Sequence, residues 1–183
     1  MVENNSNFGA NACVIFSFNK FAFALSSASG KTIDTLQKLD TETGAIEETK
    51  LRTLAKNSAS KLPELRNNFA WFTTATFEES EDGDQSGGDG EPTREVKLNL
   101  FMHGGSVMNA KTKKKKFLND FYHLDVAEGL FRKFFLFDAA KGREGHTMAR
   151  IENEVYLYGG KGQNGVVFDD MWRFDFENVQ FNE

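Results

Sequence analysis

The chain has little cysteine, proline, tryptophan or histidine: its 183 residues include one Cys, two Pro, two Trp and three His. A single cysteine excludes an internal disulfide, so folding needs no oxidising compartment, and we expect a cytoplasmic protein. No apolar run approaches the roughly 18 residues that a membrane-spanning helix requires. The apolar stretch near the N-terminus is interrupted by Asn19 and Lys20, which predicts two strands and not a signal peptide.

The scarcity of histidine and cysteine also argues against catalysis. His103, His123 and His146 are far apart in the sequence, and no pair has the spacing of a metal site. Cys13 falls in a predicted buried strand with no second cysteine nearby, so a nucleophilic thiol is not expected. The sequence therefore predicts no catalytic residue, no metal ligand and no cofactor.

Phenylalanine, by contrast, is abundant. The chain has 19 Phe residues, and 39% of all its residues are hydrophobic. Phe recurs in almost every predicted strand, and each ring can bury about 150–250 Å². We expect these rings to fill the space between packed sheets of one domain with a sizeable core.

A unit of about fifty residues occurs three times, a period typical of solenoids and propellers. The copies cover residues 7–52, 65–138 and 143–183. In the last two copies an apolar strand ends in a glycine pair, Gly104-Gly105 or Gly159-Gly160, and an aromatic strand follows. One such unit cannot bury both of its faces, so each copy needs a neighbour.

Apolar residues seven positions apart close each copy. The pairs are Leu39 and Ile46, Leu124 and Phe131, and Phe174 and Phe181. Each pair begins next to an acidic residue and spans a polar turn, as tight hairpins do. We therefore expect a hairpin at the end of each copy.

In this combination the chain resembles the Kelch-repeat family. Its units run from a glycine-histidine start through an apolar strand ending in paired glycines to an aromatic strand and a closing aromatic residue. Residues 143–146 (Arg-Glu-Gly-His) match the start, whereas the first copy has Ser26-Ser27 in place of the glycine pair. The resemblance implies an all-β propeller with four-stranded antiparallel blades, three of them in this chain. The structural residues of the repeat are then Gly104, Gly105, Gly159, Gly160, His146, Trp172, Phe131 and Phe181.

Four strands can be placed in each copy. They lie near 10–17, 20–26, 33–39 and 45–51; near 68–76, 96–103, 119–125 and 130–137; and near 146–151, 154–158, 169–175 and 179–183. Residues 78–95 form an acidic insert without apolar anchors, which predicts a mobile loop. Residues 111–116 carry a lysine run, which predicts a second loop.

Three blades do not close a ring, because propellers of this class have about four to eight. The outer faces of the first and last blades are then expected to be exposed and rich in Phe, which is typical of an interface. Three arrangements stay open: two copies form a six-bladed ring, another subunit supplies the missing blades, or the sequence belongs to a longer chain.

The charged residues in the predicted loops between strands fall on two opposite faces of the propeller. One face collects acidic residues of the hairpin turns, including Glu128, together with the acidic insert. The other collects basic residues, including Arg52 and Arg143, and offers seven candidate partner-binding residues: Lys31, Lys113, Lys114, Lys115, Lys116, Lys141 and Lys161. These lysines either attract an acidic partner or simply keep loops solvated. Nucleic acid is disfavoured as a partner because the pI is about 5.3 and interleaved aromatic residues are missing.

The leading hypothesis is a non-enzymatic interaction or assembly module, serving as a structural subunit or scaffold of a protein complex. We expect a homodimer or a hetero-complex that completes the propeller. The alternative is an adaptor-type platform that binds an acidic protein motif on its lysine-rich face. A Kelch-like enzyme is the remote alternative, because the polar residues at the predicted strand starts are too few to specify a reaction.

Overall fold

The computed structural model describes residue 9 and residues 12–53, 61–79, 94–134 and 140–175. Within these residues the fold is all-β, as the sequence predicts, with no α-helix and one 3₁₀ turn at Gln163–Gly165. None of these segments forms a helix of the length and apolarity needed to cross a membrane.

Fourteen strands make up three sheets and one separate hairpin. In chain order they are β1 (Val14–Phe18), β2 (Phe21–Ser26), β3 (Thr35–Asp40), β4 (Ile46–Lys50), β5 (Arg52–Thr53), β6 (Ala70–Glu79), β7 (Arg94–His103), β8 (Ser106–Met108), β9 (Lys115–Phe117), β10 (Phe121–Asp125), β11 (Leu130–Phe134), β12 (Thr147–Ile151), β13 (Glu154–Tyr158) and β14 (Met171–Asp175). Sheet 1 has the order β1-β2-β3-β4, sheet 2 has β5-β11-β10-β7-β6, and sheet 3 has β12-β13-β14. All neighbours are antiparallel except β5 and β11.

Apolar residues seven positions apart in the sequence lie opposite each other in a hairpin. Leu39 lies directly opposite Ile46 in the β3–β4 pair, and Leu124 lies opposite Phe131 in the β10–β11 pair. In the first of these turns the Asp40 carboxylate accepts a hydrogen bond from the Glu42 N–H at 2.9 Å. The third pair falls outside the described residues, because Phe181 and the predicted strand at 179–183 are not among them.

The lysine run was predicted as a loop; this prediction is right for residues 111–114, which form a turn, and wrong for Lys115 and Lys116, which belong to β9. It lies in the hairpin β8–β9, in which Ser106 pairs with Phe117. The Asn109 side-chain oxygen accepts hydrogen bonds from the N–H groups of Lys111 and Thr112, both at 2.9 Å. Asparagine at the head of a tight turn, and not the lysines themselves, therefore sets the local structure.

The acidic insert is also shorter than predicted. The strands β6 and β7 continue past the predicted boundaries, and their last two pairs are Glu78 with Glu95 and Glu79 with Arg94. Residues 80–93 lie outside the described residues. Backbone pairing between two long strands thus overrides the polar composition at both ends of the insert.

Sheet 2 lies between the other two sheets. Successive side chains of β7 and β10 point to opposite faces of the sheet. Leu100, Met102 and Leu124 therefore belong to a core shared with sheet 1. Phe101 and Phe121 belong to a second core that includes Met148 of sheet 3. Phe131, one of the predicted repeat residues, is 1% exposed within the first core. The middle sheet is therefore covered on both faces, which explains the nearly continuous apolar character of β7 and β10.

The outer faces are not rich in Phe, so that expectation is wrong for the described residues. Sheet 1 exposes Ile15, and sheet 3 exposes Ile151, Tyr158 and Met171. The Phe rings are instead used between sheets, where Phe16 stacks on Phe23 at 5.1 Å between ring centroids. Flat rings fill the gap between two facing sheets, a role that an uncovered face does not offer.

Candidate functional site

The seven candidate lysines lie around one end of the sheets, which we call the connection end. It consists of residues 27–34, 61–69, 106–117, 140–146 and 159–170. Backbone bridges link these segments in sequence: Thr32 with Glu64, Asn67 with Ser106, and Glu144 with Lys161. The connection end is therefore one continuous surface that crosses all three sheets.

All seven lysines are exposed on this surface. Lys31 and Lys141 contribute to its framework through their carbonyl groups, which accept hydrogen bonds from the Leu65 N–H at 2.7 Å and from Arg143 Nε at 3.0 Å. Lys161 is held by its backbone between Glu144 and Val167. The structure thus brings the seven predicted lysines to one end of the sheets. The backbones of Lys31, Lys141 and Lys161 also join neighbouring segments there.

Glu144 is the acidic centre of the connection end. Its carboxylate accepts hydrogen bonds from Lys115 Nζ at 2.7 Å, Ser106 Oγ at 2.5 Å and Asn68 Nδ2 at 3.4 Å. Burial alone would raise the pKa of Glu144, but the hydrogen bonds from Lys115, Ser106 and Asn68 hold it below its ordinary value. This network fixes the lysine hairpin to the segment that leads into sheet 3.

A second acidic residue fixes the other side of the hairpin. Lys116 Nζ lies 3.2 Å from Glu64 Oε1, and both side chains are at least half exposed. An exposed pair of this kind contributes about 0–1 kcal/mol, so it orients the hairpin more than it stabilises it. Lys111, Lys113 and Lys114, at the hairpin tip, form no ion pair with any residue that the structure describes.

The sequence argument missed Glu64 and Glu144. They are far in sequence from the lysines that they bind, and no motif marks either one as a partner of lysine. Backbone hydrogen bonds between connecting segments bring Glu144 to the hairpin, for example from the Arg143 N–H to the Leu118 carbonyl at 3.0 Å. Two of the five hairpin lysines are therefore already paired within the chain.

Two basic residues were assigned to the wrong environment. Arg143 was placed on the basic face, yet its side chain is completely buried. Arg52 was placed there too, but its guanidinium lies 3.6 Å from the carboxylate of Glu128 in the β10–β11 turn. The cause is β5, which carries Arg52 away from sheet 1 and pairs it with β11 of sheet 2.

The buried Arg143 forms an ion pair with the partly exposed Asp170. Two of its nitrogens lie 2.5 and 2.9 Å from the two carboxylate oxygens, and Nη1 also donates to the Gly159 carbonyl at 2.9 Å. The guanidinium stacks 4.1 Å from the Phe168 ring, and Trp172 Nε1 donates to Asp170 at 2.7 Å. Hydrogen bonding to Arg143 lowers the pKa of Asp170 to about 2.

The same arrangement recurs in sheet 2. Arg66 donates two hydrogen bonds to Asp120 and a third to the Gly104 carbonyl at 3.1 Å, and its guanidinium lies 5.5 Å from the Tyr122 ring. Arg66 precedes β6 by four residues and Arg143 precedes β12 by four, while Asp120 and Asp170 immediately precede β10 and β14. An arginine four residues before one strand, followed by an aspartate directly before a later strand, is therefore a sequence signal by which both pairs could have been found.

Sheet 1 keeps the aspartate but not the arginine. Asp34 immediately precedes β3, and residues 1–11 contain no arginine or lysine. Its carboxylate instead accepts hydrogen bonds from the N–H groups of Ala28 at 2.7 Å and Ser29 at 3.2 Å. The first copy has thus replaced an ion pair with a local turn.

The glycine pairs adopt a backbone conformation that residues with a Cβ rarely adopt. Gly104, Gly105, Gly159 and Gly160 all have positive φ, between 65° and 96°. A Cβ atom on Gly105 would lie 2.7 Å from the Asn67 carbonyl oxygen, and one on Gly160 would lie 2.9 Å from the Glu144 carbonyl oxygen. The pairs therefore allow the connecting segments to approach the sheet closely.

Gly160 provides a prediction with a matched control. Gly160→Ala combines positive φ with a backbone collision, whereas Gly145 has positive φ and no atom within 4 Å of an added Cβ. We expect Gly145→Ala to lower the free energy of unfolding by about 1–2 kcal/mol and Gly160→Ala to lower it by about 1–3 kcal/mol more. Urea denaturation of both variants measures the difference. Equal losses would show that close approach is not what glycine provides at position 160.

The three histidines are buried, His103 and His123 in sheet 2 and His146 directly before β12. His103 Nδ1 lies 3.0 Å from His146 Nε2, and His123 Nε2 lies 2.7 Å from the Asn99 side-chain oxygen. Burial lowers the pKa of His103 to about 3 and the pKa values of His123 and His146 to about 4. Such groups stay neutral near pH 7, so they pack and accept or donate hydrogen bonds. Among the residues described, no three potential metal ligands cluster together.

In chemical terms, the connection end presents ammonium groups on a hairpin of defined orientation. Its acidic residues Glu64, Glu144 and Asp170 are already bound to basic ones, and its two guanidinium groups are buried. This arrangement can attract carboxylates or other anions.

No protein-family model matches this chain, and neither does any curated protein. Among solved structures it is similar to one titled "Structure of YjhT", with 20% sequence identity and a TM-score of 0.46. The match covers 85% of this chain and 37% of that one. The chain thus spans little more than a third of the length of the structure that it matches.

Proposed function

We propose that the chain forms three blades of a Kelch-type β-propeller and acts as a non-enzymatic assembly module in the cytoplasm. Its role is that of a structural subunit or scaffold within a protein complex. Three features support this: the sheets pack one on the next, each sheet leads to the next through the connection end, and the Arg–Asp pairs recur at equivalent positions.

The observation that carries the proposal is the uncovered face of sheet 3. One face of this sheet buries Val155 and Leu157, both 0% exposed. The opposite face exposes Ile151, Tyr158 and Met171 to 60%, 52% and 67%. Tyr158 and Met171 lie directly opposite each other on β13 and β14, and adjacent exposed apolar side chains of this kind are typical of an interface.

A second copy is the proposed occupant of this face. Sheet 1, at the other end of the row, also exposes an apolar side chain on its outer side, Ile15. In a two-fold symmetric pair, sheet 3 of each copy can face sheet 1 of the other, so both ends are covered at once. The result is a six-bladed ring, a blade number within the range that closes.

Substitution on the exposed face tests this proposal. Ile151→Ser combined with Met171→Ser removes two apolar side chains whose burial drives the contact. We expect the double variant to elute as a monomer from a sizing column at about 0.5 M salt, whereas the wild type elutes as a dimer. Phe77→Ser is the matched control, since Phe77 is 64% exposed and belongs to β6 of sheet 2, outside sheet 3, and it should leave the dimer intact. A dimer that survives the double substitution would contradict the assignment of the face.

A second candidate function is an adaptor-type platform for an acidic protein motif. The observation that favours it is the set of three tip lysines without an ion-pair partner among the described residues, on a hairpin that contacts Glu64 and Glu144. Binding through these charges should weaken steeply with salt, because the Debye length falls from about 10 Å at 0.1 M to about 3 Å at 1 M. Assembly through sheet 3 should persist under the same conditions.

A further inference from the structure

Two neighbouring valines are exposed on the connection end. Val166 is 50% exposed and Val167 is 76% exposed, in the segment that directly follows the 3₁₀ turn Gln163–Gly165. Valine is a residue that folded proteins usually bury, and here two adjacent valines keep at least half of their surface open. Their position is therefore not explained by packing within the described part of the chain.

The segment that carries the valines is held in place by its own contacts. Residues 161–168, which we call the valine loop, are closed by a hydrogen bond from the Gly162 N–H to the Val166 carbonyl at 2.8 Å. Phe168 anchors the loop, because its ring lies 4.1 Å from the guanidinium of the buried Arg143. The loop is thus ordered before any partner binds, which lowers the entropic cost of binding.

The valine loop lies beside the lysine hairpin. Its turn, Gln163–Gly165, is next to β9. The backbone of Lys161 pairs with that of Glu144, and the Glu144 carboxylate accepts a hydrogen bond from Lys115 Nζ of the hairpin at 2.7 Å. Glu144 therefore joins the loop to the hairpin.

Met108 adds a third apolar side chain on the same side. It lies directly opposite Lys115 in the β8–β9 pair, so both side chains lie on one face of the hairpin. Lys115 reaches Glu144 from that face, whereas Lys116, on the other face, reaches Glu64. Met108, which is 48% exposed, therefore lies on the face of the hairpin that is turned toward Glu144 and the valine loop.

The apolar patch of Met108, Val166 and Val167 has mainly basic surroundings. The three tip lysines of the hairpin form no ion pair with any described residue, and Lys161 of the valine loop is also exposed. One exposed carboxylate, Asp169, follows the loop. An apolar centre with a polar rim is the usual composition of a protein–protein interface, and the charge of this rim selects an acidic partner.

We propose that this surface binds a short acidic segment of another protein, with aliphatic side chains of the segment on the patch and its carboxylates on the tip lysines and Lys161. The inference rests on the second candidate function and adds an apolar anchor to it. A short segment fits the surface better than an anionic membrane does. The chain has a net charge of −5, and a membrane faces a much wider area of the protein than the patch.

Peptides selected on the immobilised wild-type chain from a random display library are the probe for this surface. We expect them to combine Asp or Glu with Leu, Ile or Val. Fluorescence anisotropy measures their affinity at about 0.05 M and about 0.5 M salt. The variants are the patch variant Val166→Ser/Val167→Ser, the single variant Met108→Ser, and the tip variant Lys111→Ser/Lys113→Ser/Lys114→Ser. Phe77→Ser, which removes an exposed apolar side chain of sheet 2, is the control.

The patch variant should lose at least about tenfold in affinity at both salt concentrations, because it removes apolar area that the peptide buries. Met108→Ser should lose affinity by a smaller factor. It changes a different segment, so a local distortion of the valine loop does not account for both losses. The tip variant should lose at least about tenfold at low salt and much less at high salt. Phe77→Ser should bind as the wild type does.

Three results would overturn the proposal. Acidic peptides that bind the patch variant and Met108→Ser as tightly as the wild type would exclude the apolar anchor and leave the second candidate function intact. Peptides whose affinity the tip variant does not change would contradict both, and so would a selection that yields no acidic peptide. In the last case, sedimentation of the chain with vesicles of phosphatidylserine and phosphatidylcholine would assign the surface to a membrane.

Discussion

Replacement of Arg143 by methionine is expected to lower the free energy of unfolding by about 2–4 kcal/mol, because it removes several hydrogen bonds to charged groups, each worth about 1.5–3 kcal/mol, although Asp170 is 38% exposed and regains water. The arginine side chain is 0% exposed. Its loss deprives Asp170 of two hydrogen bonds and the carbonyls of Gly159 and Lys141 of one each. Methionine fills part of the volume but donates no hydrogen bond. Guanidinium chloride denaturation measures the loss.

Arg52→Met is the control for this prediction. Arg52 forms an ion pair with Glu128, but both side chains are more than half exposed, so its loss should cost less than about 1 kcal/mol. A double-mutant cycle between Arg143→Met and Asp170→Asn should show a coupling of about 0.5–3 kcal/mol. If Arg143→Met were no more destabilising than Arg52→Met, the pair would not be structurally important.

Stability is expected to fall steeply between about pH 6.5 and pH 4. All three histidines of the chain have folded pKa values of about 3 to 4 because of burial, whereas an unfolded histidine has a pKa near 6.5. Below pH 6.5 the unfolded state therefore binds protons that the folded state does not. Each histidine then costs about 1.4 kcal/mol per pH unit, and the full stabilisation is present only above pH 6.5.

Proton NMR tests this prediction directly, because the chain has only three histidines. Their ring protons should show no titration in the folded protein above pH 5. The midpoint of denaturation should fall as the pH is lowered from 7.5 to 4.5, in parallel with the proton uptake expected of the unfolded state. His123→Gln removes one of the three groups and should reduce the slope by about a third. A histidine that titrates near pH 6.5 in the folded state would contradict its assigned burial.

Strand positions were largely predictable from the sequence, because they depend on patterns within a single copy. The spacing of Leu39 and Ile46, for example, is the register of one hairpin, and the strand at 154–158 was placed with its observed bounds. The paired glycines were interpreted correctly because positive φ and close approach leave few alternatives to glycine.

The candidate site was less predictable, because its important contacts join segments far apart in the chain. Glu144 lies 29 residues from Lys115, and Glu64 lies 52 residues from Lys116. Neither acid has a local pattern that marks it as a partner of lysine. Arg143 was misplaced for the same reason: a charged residue in a connecting segment is usually solvated, and only Asp170 and Gly159 explain its burial.

The central claim is that a second copy of the chain covers the exposed face of sheet 3. The absolute mass of the wild-type chain in solution, measured by light scattering at low and at high salt, tests it most directly. We predict a species of twice 20.6 kDa that persists at about 0.5 M salt, since apolar contacts are not screened. A well-folded monomer of 20.6 kDa at high salt would contradict the claim.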